Sequence, residues 1–156
     1  MRGFWLLVHV LGVILWLGGG LATMVLGVTA KQFDPGERLA AYRLTSAIQR
    51  ILLGPGAAAV VLSGVVLATP YMKEGTVPGW LMLMMTSGIL GALVAMAVTV
   101  PTAARLGRLQ VDARGELPES FAGLRKRLVI AGSVAGALGL VALVAGTVLR
   151  LSLIHI

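Results

Sequence analysis

The chain of 156 residues is 58% hydrophobic and only 12% charged, and it carries a formal net charge of +7. Soluble domains carry about 25% charged residues and disordered chains are poor in apolar residues, so both classes are excluded. The absence of cysteine excludes disulfide scaffolds, thiolate metal sites and cysteine nucleophiles. The mean hydropathy of +0.95 indicates a membrane protein, in which Lys and Arg record orientation rather than nucleic-acid binding.

Four stretches are long and apolar enough to cross the roughly 30 Å hydrocarbon core of a bilayer as helices. They cover about residues 4–30, 51–69, 80–100 and 128–149. The first stretch is longer than the core of a signal peptide, so we expect a retained span. The sequence predicts a single integral membrane domain over residues 1–150, folded as an all-α, antiparallel bundle of four transmembrane helices.

His9 is the one ionisable side chain that lies clearly inside a predicted span. Trp16 follows seven residues later on the same helical face. Intramembrane titratable residues are costly and usually face the bundle interior, so His9 is the default functional candidate. Two interpretations stay open. His9 and Trp16 either line a cofactor-binding site, or His9 donates one structural hydrogen bond and Trp16 is ordinary packing.

The connection after the first span predicts a short helix that lies in the membrane interface. Asp34, Pro35 and Glu37 form a helix-start signature, and Leu39 and Tyr42 then alternate with basic residues. Further along the chain, Pro55 stands between two glycines near the start of the second span. Because proline removes a backbone hydrogen bond, we expect a local bend there.

The third span begins with several methionines, among them Met82 and Met85. The topology places them at the membrane side that also holds His9. Thioether and imidazole groups together suit Cu(I), so His9, Met82 and Met85 form a candidate copper site. Methionine is also a common filler of apolar cores, and core packing is the alternative.

The basic residues are concentrated in the two long connections. Of the 13 Lys and Arg residues, only Arg2, Lys73 and Arg150 lie elsewhere. Because Lys and Arg accumulate in cytoplasmic loops, we expect both long connections in the cytoplasm and both termini outside. The localisation is then the cytoplasmic (inner) membrane, with several passes. The basic loops should attract anionic lipid headgroups, and no nucleic-acid partner is expected.

Small residues indicate the faces on which the spans pack, since helices in lipid associate by close backbone approach. The first span carries the run Gly18–Gly20, and the fourth carries Gly132, Gly136 and Gly139. We expect these glycine-rich faces to hold the bundle together. They are also the surfaces through which two copies could form a homo-oligomer.

No catalytic motif stands out. The six acidic residues all lie in the connections, and neither a Gly-x-Ser-x-Gly nor a His-Glu-x-x-His pattern occurs. We therefore assign no catalytic residue and expect a binding protein rather than an enzyme.

The first span, from Leu7 through His9 and Trp16 to Gly19, resembles the first helix of a family of predicted integral membrane proteins without an assigned function. That family lies near the copper-resistance D-type and HemJ-type four-helix proteins. Further similar features are Pro55, Ser63–Gly64 in the second span and Trp80–Leu81 at the start of the third. HemJ-type relatives imply a haem-containing oxidase whose first-helix histidine binds haem, and the copper-resistance relatives imply copper uptake. Only His9 is carried over, because residues 17–24 lack the arginine and Tyr-His segment of the oxidases.

Three functions follow in order of preference. The first is a small inner-membrane protein of bacterial type that holds a ligand or cofactor near His9. The second is a haem-b-binding redox protein related to the HemJ-type oxidases. The third is a copper-handling membrane protein.

The last six residues, 151–156, read Leu-Ser-Leu-Ile-His-Ile. A nucleotide string similar to the mosaic-end adapter of transposase-based sequencing libraries encodes this hexapeptide. We expect these residues to be adapter read-through, and we therefore assign no role to His155.

Overall fold

The structure is a computed structural model that describes residues 1–75 and 77–149. The suspected adapter residues 151–156 lie outside the described residues. All regular elements in the described part are helical, and four helices are long and apolar enough to cross a membrane, as the sequence predicts. We call them spans one to four: Arg2–Gln32, Pro35–Lys73, Gly79–Leu106 and Ser120–Val148.

Most spans are built from more than one helical element, listed here with their bounds. The α-helices are α1 (Arg2–Thr29), α2 (Pro35–Ile48), α3 (Gly54–Lys73), α4 (Gly79–Val94), α5 (Val100–Leu106) and α6 (Ser120–Val144). A 3₁₀ turn, Ala30–Gln32, follows α1. Wider π-helical segments cover Gln49–Leu53, Ala95–Thr99 and Ala145–Leu149. Helices suit lipid because every backbone polar group finds its partner within the segment.

Two of the π-helical segments precede an α-helix whose second residue is a proline. The N–H of Gly54 donates to the carbonyl of Gln49, and the N–H of Val100 donates to the carbonyl of Ala95. Both bonds reach five residues back rather than four. Pro55 and Pro101 have no N–H and crowd the preceding turn, and a wider turn accommodates both effects. The sequence predicts a bend near Pro55, and the structure has a π-helical turn just before it.

The helix predicted for the first long connection begins at Pro35, but it is not a separate interfacial helix. It is the first part of span two and continues through the π-helical segment into α3. Its apolar side is buried because it packs against α5 and the start of α6, which puts Leu39 and Tyr42 into a cluster with Phe121. Asp34 occupies the N-cap position, although its carboxylate makes no capping hydrogen bond.

Two arginines join elements at this end of the bundle. Arg38 donates from its guanidinium to the carbonyls of Ala30, Lys31 and Phe33, which satisfies backbone acceptors where span one ends. Arg125 donates from Nε to the Tyr42 hydroxyl over 3.1 Å and so connects α6 to α2. These two basic side chains therefore have a structural role in addition to their charge.

Spans one and two approach each other closely at Gly56. A Cβ atom on Gly56 would lie 2.7 Å from the backbone N of Trp16 and 2.9 Å from the Gly12 carbonyl oxygen. By contrast, a Cβ on Gly18, Gly20 or Gly136 would meet nothing within 4 Å. Only some of the glycines expected at packing faces therefore lie at one.

Candidate functional site

A cavity of about 840 Å³ lies among the four spans. Along span one its lining extends from Arg2 to Leu17, a rise of about 22 Å at 1.5 Å per residue. Aliphatic side chains supply most of the wall. A volume in this range, with few polar groups, is typical of small-molecule and cofactor sites.

His9 enters this cavity from α1 and is held by α3. Its Nδ1 lies 3.0 Å from Ser63 Oγ and 3.1 Å from the carbonyl oxygen of Val60. Gly64 makes room for the ring, because a Cβ there would lie 3.3 Å from His9 Cε1. The imidazole is thus fixed against the second span by two polar contacts and one missing side chain.

These contacts decide which ring nitrogen carries the proton in the neutral imidazole. The Val60 carbonyl can only accept a hydrogen bond. Ser63 Oγ donates its own proton to the carbonyl of Ala59 on the same helix, so it too accepts from His9. Nδ1 is therefore the donor, and Nε2 keeps its lone pair. No described residue makes a hydrogen bond to Nε2.

Trp16 lies at the end of the cavity away from Arg2, next to Leu17. The residue is 3% exposed, and its indole packs in a space left by two glycines. A Cβ on Gly91 would lie 3.0 Å from the Trp16 Cη2 atom, and one on Gly139 would lie 3.6 Å from Cζ2. Leu53, Ala57 and other buried apolar residues form a core cluster with it. Trp16 thus both packs the bundle and lines the cavity.

The methionines of span three divide between two environments. Met85 lines the cavity together with His9, whereas Met82 is 60% exposed and lies outside the lining set. Met84 also lines the cavity, and its sulfur packs so close to Gly146 that a Cβ there would lie 2.7 Å away. The sequence interpretation missed Met84, although its depth in the span is similar to that of Met82.

Polar residues are few and lie mostly at the end of the cavity that contains Arg2. Arg2 is the one charged residue in the described lining, and Tyr71, Trp80 and Thr147 add polar atoms. The Tyr71 and Trp80 rings form an edge-to-face pair with centroids 6.0 Å apart. Sequence reasoning did not select Arg2, Tyr71 or Ser63 as site residues. The pattern that could have indicated Ser63 is its position beside Gly64, opposite His9.

The donors around the cavity can be compared with the two cofactors that the resemblance implies. In the described part of the chain, no three His, Asp or Glu side chains are grouped to hold a metal ion. One imidazole nitrogen with an available lone pair and a hydrogen-bonded second nitrogen fits an axial haem ligand. For Cu(I), the soft donors that share the cavity are His9, Met84 and Met85.

Comparison with known proteins adds no relative. No family model, no curated protein and no solved structure matches the chain.

Proposed function

We propose that the chain is a multi-pass inner-membrane protein of bacterial type that binds an apolar ligand or cofactor in the His9 cavity. The observation that carries this proposal is that His9 lines an apolar cavity while Val60 and Ser63 occupy its Nδ1, which leaves Nε2 for a ligand. A binding role suits a cavity with one oriented polar group and no acidic partner in its described lining.

The proposal includes an antiparallel bundle with both termini outside and both long connections in the cytoplasm. Contacts between spans one and two support an antiparallel arrangement. His9 contacts Ser63, and Gly19, ten residues later in span one, lies near Leu53, ten residues earlier in span two. Spans three and four behave alike: Gly88 lies near Ala142, and Thr99 lies near Gly132. The basic residues of the two long connections support the cytoplasmic side, where anionic headgroups would meet them.

Fluorescence quenching tests whether the cavity takes up apolar molecules. In a variant that keeps only Trp16, made by Trp5→Phe and Trp80→Phe, we expect 1-bromododecane to quench Trp16 in lipid nanodiscs. Filling the cavity with Ala142→Phe should reduce the quenching. Leu140→Phe is the matched control, because Leu140 is 55% exposed on the same span. Equal quenching in both variants, with the helical circular dichroism retained, would contradict the proposal.

Haem b is the second candidate, and the Nε2 lone pair of His9 is the observation that favours it. His9 would hold the haem iron, and Met84 or Met85, which line the same cavity, would be candidates for a second ligand. A bound haem would supply one-electron transfer. After haem-replete expression, we expect a Soret band that His9→Ala removes and Met82→Ala leaves intact. Absence of the band in the intact protein would eliminate this candidate.

A further inference from the structure

We propose that the ligand of the His9 cavity is a hydroquinone-type lipid, an aromatic ring with a free hydroxyl group and an apolar tail. This inference rests on the proposed function and specifies its ligand class. Three properties of the described cavity carry it: the hydrogen-bonding state of His9, the side chains around the ring site, and the length of the apolar wall.

The hydrogen-bonding state of His9 favours a ligand that donates a hydrogen bond. Nδ1–H is used by Val60 and Ser63, so Nε2 is the ring nitrogen left for a ligand, and in the neutral imidazole it carries only a lone pair. A ligand carbonyl would place one acceptor against another, whereas a hydroxyl group would donate to Nε2. A buried acceptor left without a donor costs about tenfold or more in affinity. The site therefore favours a hydroquinone over the corresponding quinone.

The surrounding side chains select a flat ring rather than a simple alcohol. Met84 and Met85 line the same cavity as His9, and thioether sulfurs make favourable contacts with aromatic rings. An aliphatic chain alone would not gain these sulfur–aromatic contacts.

The length of the cavity provides for the tail. About 22 Å of wall along span one exceeds the size of a single ring, and most of the wall is aliphatic, with residues such as Val13 and Val61. Arg2, the one charged residue in the described lining, is exposed and lies at the end of the cavity nearest the N-terminus. The neutral tail therefore meets no buried charge among the described residues.

Three matched probes test the inference on the full chain in nanodiscs. They are decylhydroquinone, decylquinone, and the dimethyl ether of decylhydroquinone, which keeps the ring and tail but has no hydroxyl donor. Native mass spectrometry measures their occupancy at equal concentrations. We expect decylhydroquinone to bind about tenfold or more tightly than the other two probes. His9→Leu should abolish this preference, and Ser63→Ala should reduce it because Nδ1 keeps only the Val60 carbonyl.

The outcomes separate this inference from the proposed function. Equal binding of the three probes to the intact protein would overturn the hydroquinone assignment and leave a ligand-binding cavity. No binding of any probe, with quenching by 1-bromododecane intact, would also overturn the assignment alone. No binding together with no quenching would overturn both. If His9→Leu fails to fold, the comparison of the three probes on the intact protein still decides.

Discussion

At the residue scale, Gln49 is a buried side chain whose amide oxygen is left without a hydrogen bond in the described part of the chain. The side chain is 3% exposed, and its Oε1 has no hydrogen-bond partner among the described residues. Thr45, one turn earlier, is equally buried but donates to the carbonyl of Ala41. A buried acceptor without a donor carries the cost of its desolvation, about 1–3 kcal/mol, with no compensating bond.

Replacing Gln49 by an apolar side chain of similar shape should therefore stabilise the protein. We expect Gln49→Met to raise the free energy of unfolding by about 1 kcal/mol, because it removes the unpaired amide and keeps the packing volume. Unfolding by sodium dodecyl sulfate in mixed micelles, followed by circular dichroism, measures the change. Thr45→Val is the comparison and should not raise stability, because the Thr45 hydroxyl already donates to the Ala41 carbonyl. A clear loss of stability in Gln49→Met would indicate that Oε1 has a partner such as bound water.

At the scale of the element, the close approach of spans one and two depends on one glycine, Gly56. At Gly56 the nearest atoms are backbone atoms of span one, which cannot rotate away from an added methyl group. The contact therefore depends on the missing side chain. Gly18 offers the opposite case, since it lies in the same helix pair with open space around it.

These two glycines predict opposite results for the same substitution. Gly56→Ala should lower the free energy of unfolding by about 1–3 kcal/mol, because the helices must move apart. Gly18→Ala should leave stability unchanged or raise it by less than about 1 kcal/mol, since alanine is the better helix former. The same micelle titration compares the variants. Equal effects at both positions would contradict the contact between Gly56 and span one.

The helices themselves could be predicted from the sequence, but their contacts could not. Apolar length is a local property, so four spans follow directly from composition, and the distortion at Pro55 follows from the chemistry of proline. Which side of a helix faces a neighbour depends on how the other spans pack. Met82 and Met84 are two residues apart and point in nearly opposite directions on a helix, so depth alone could not separate them. The sequence alone indicates His9, because it is the one ionisable side chain clearly inside a predicted span. Its partner Ser63 is identified only by the packing of span two against span one.

Orientation is the main prediction at the scale of the whole molecule. The chain has no cysteine, so single introduced thiols report position without background. In intact cells we expect a membrane-impermeant maleimide to label Glu74→Cys, in the short connection after span two. Ala113→Cys, in the second basic connection, should be labelled only after permeabilisation, because Lys and Arg hold that connection in the cytoplasm. The reverse pattern would overturn the proposed orientation while leaving the helical bundle unaffected.

The position of Trp16 limits how an occupant of the cavity could move through the bundle. The indole fills the space between Gly91 and Gly139, and it belongs to the core cluster that includes Leu53 and Ala57. An occupant that moved along span one from His9 past Trp16 would meet this packed core. Passage would require the largest side chain of the core to swing out of its place.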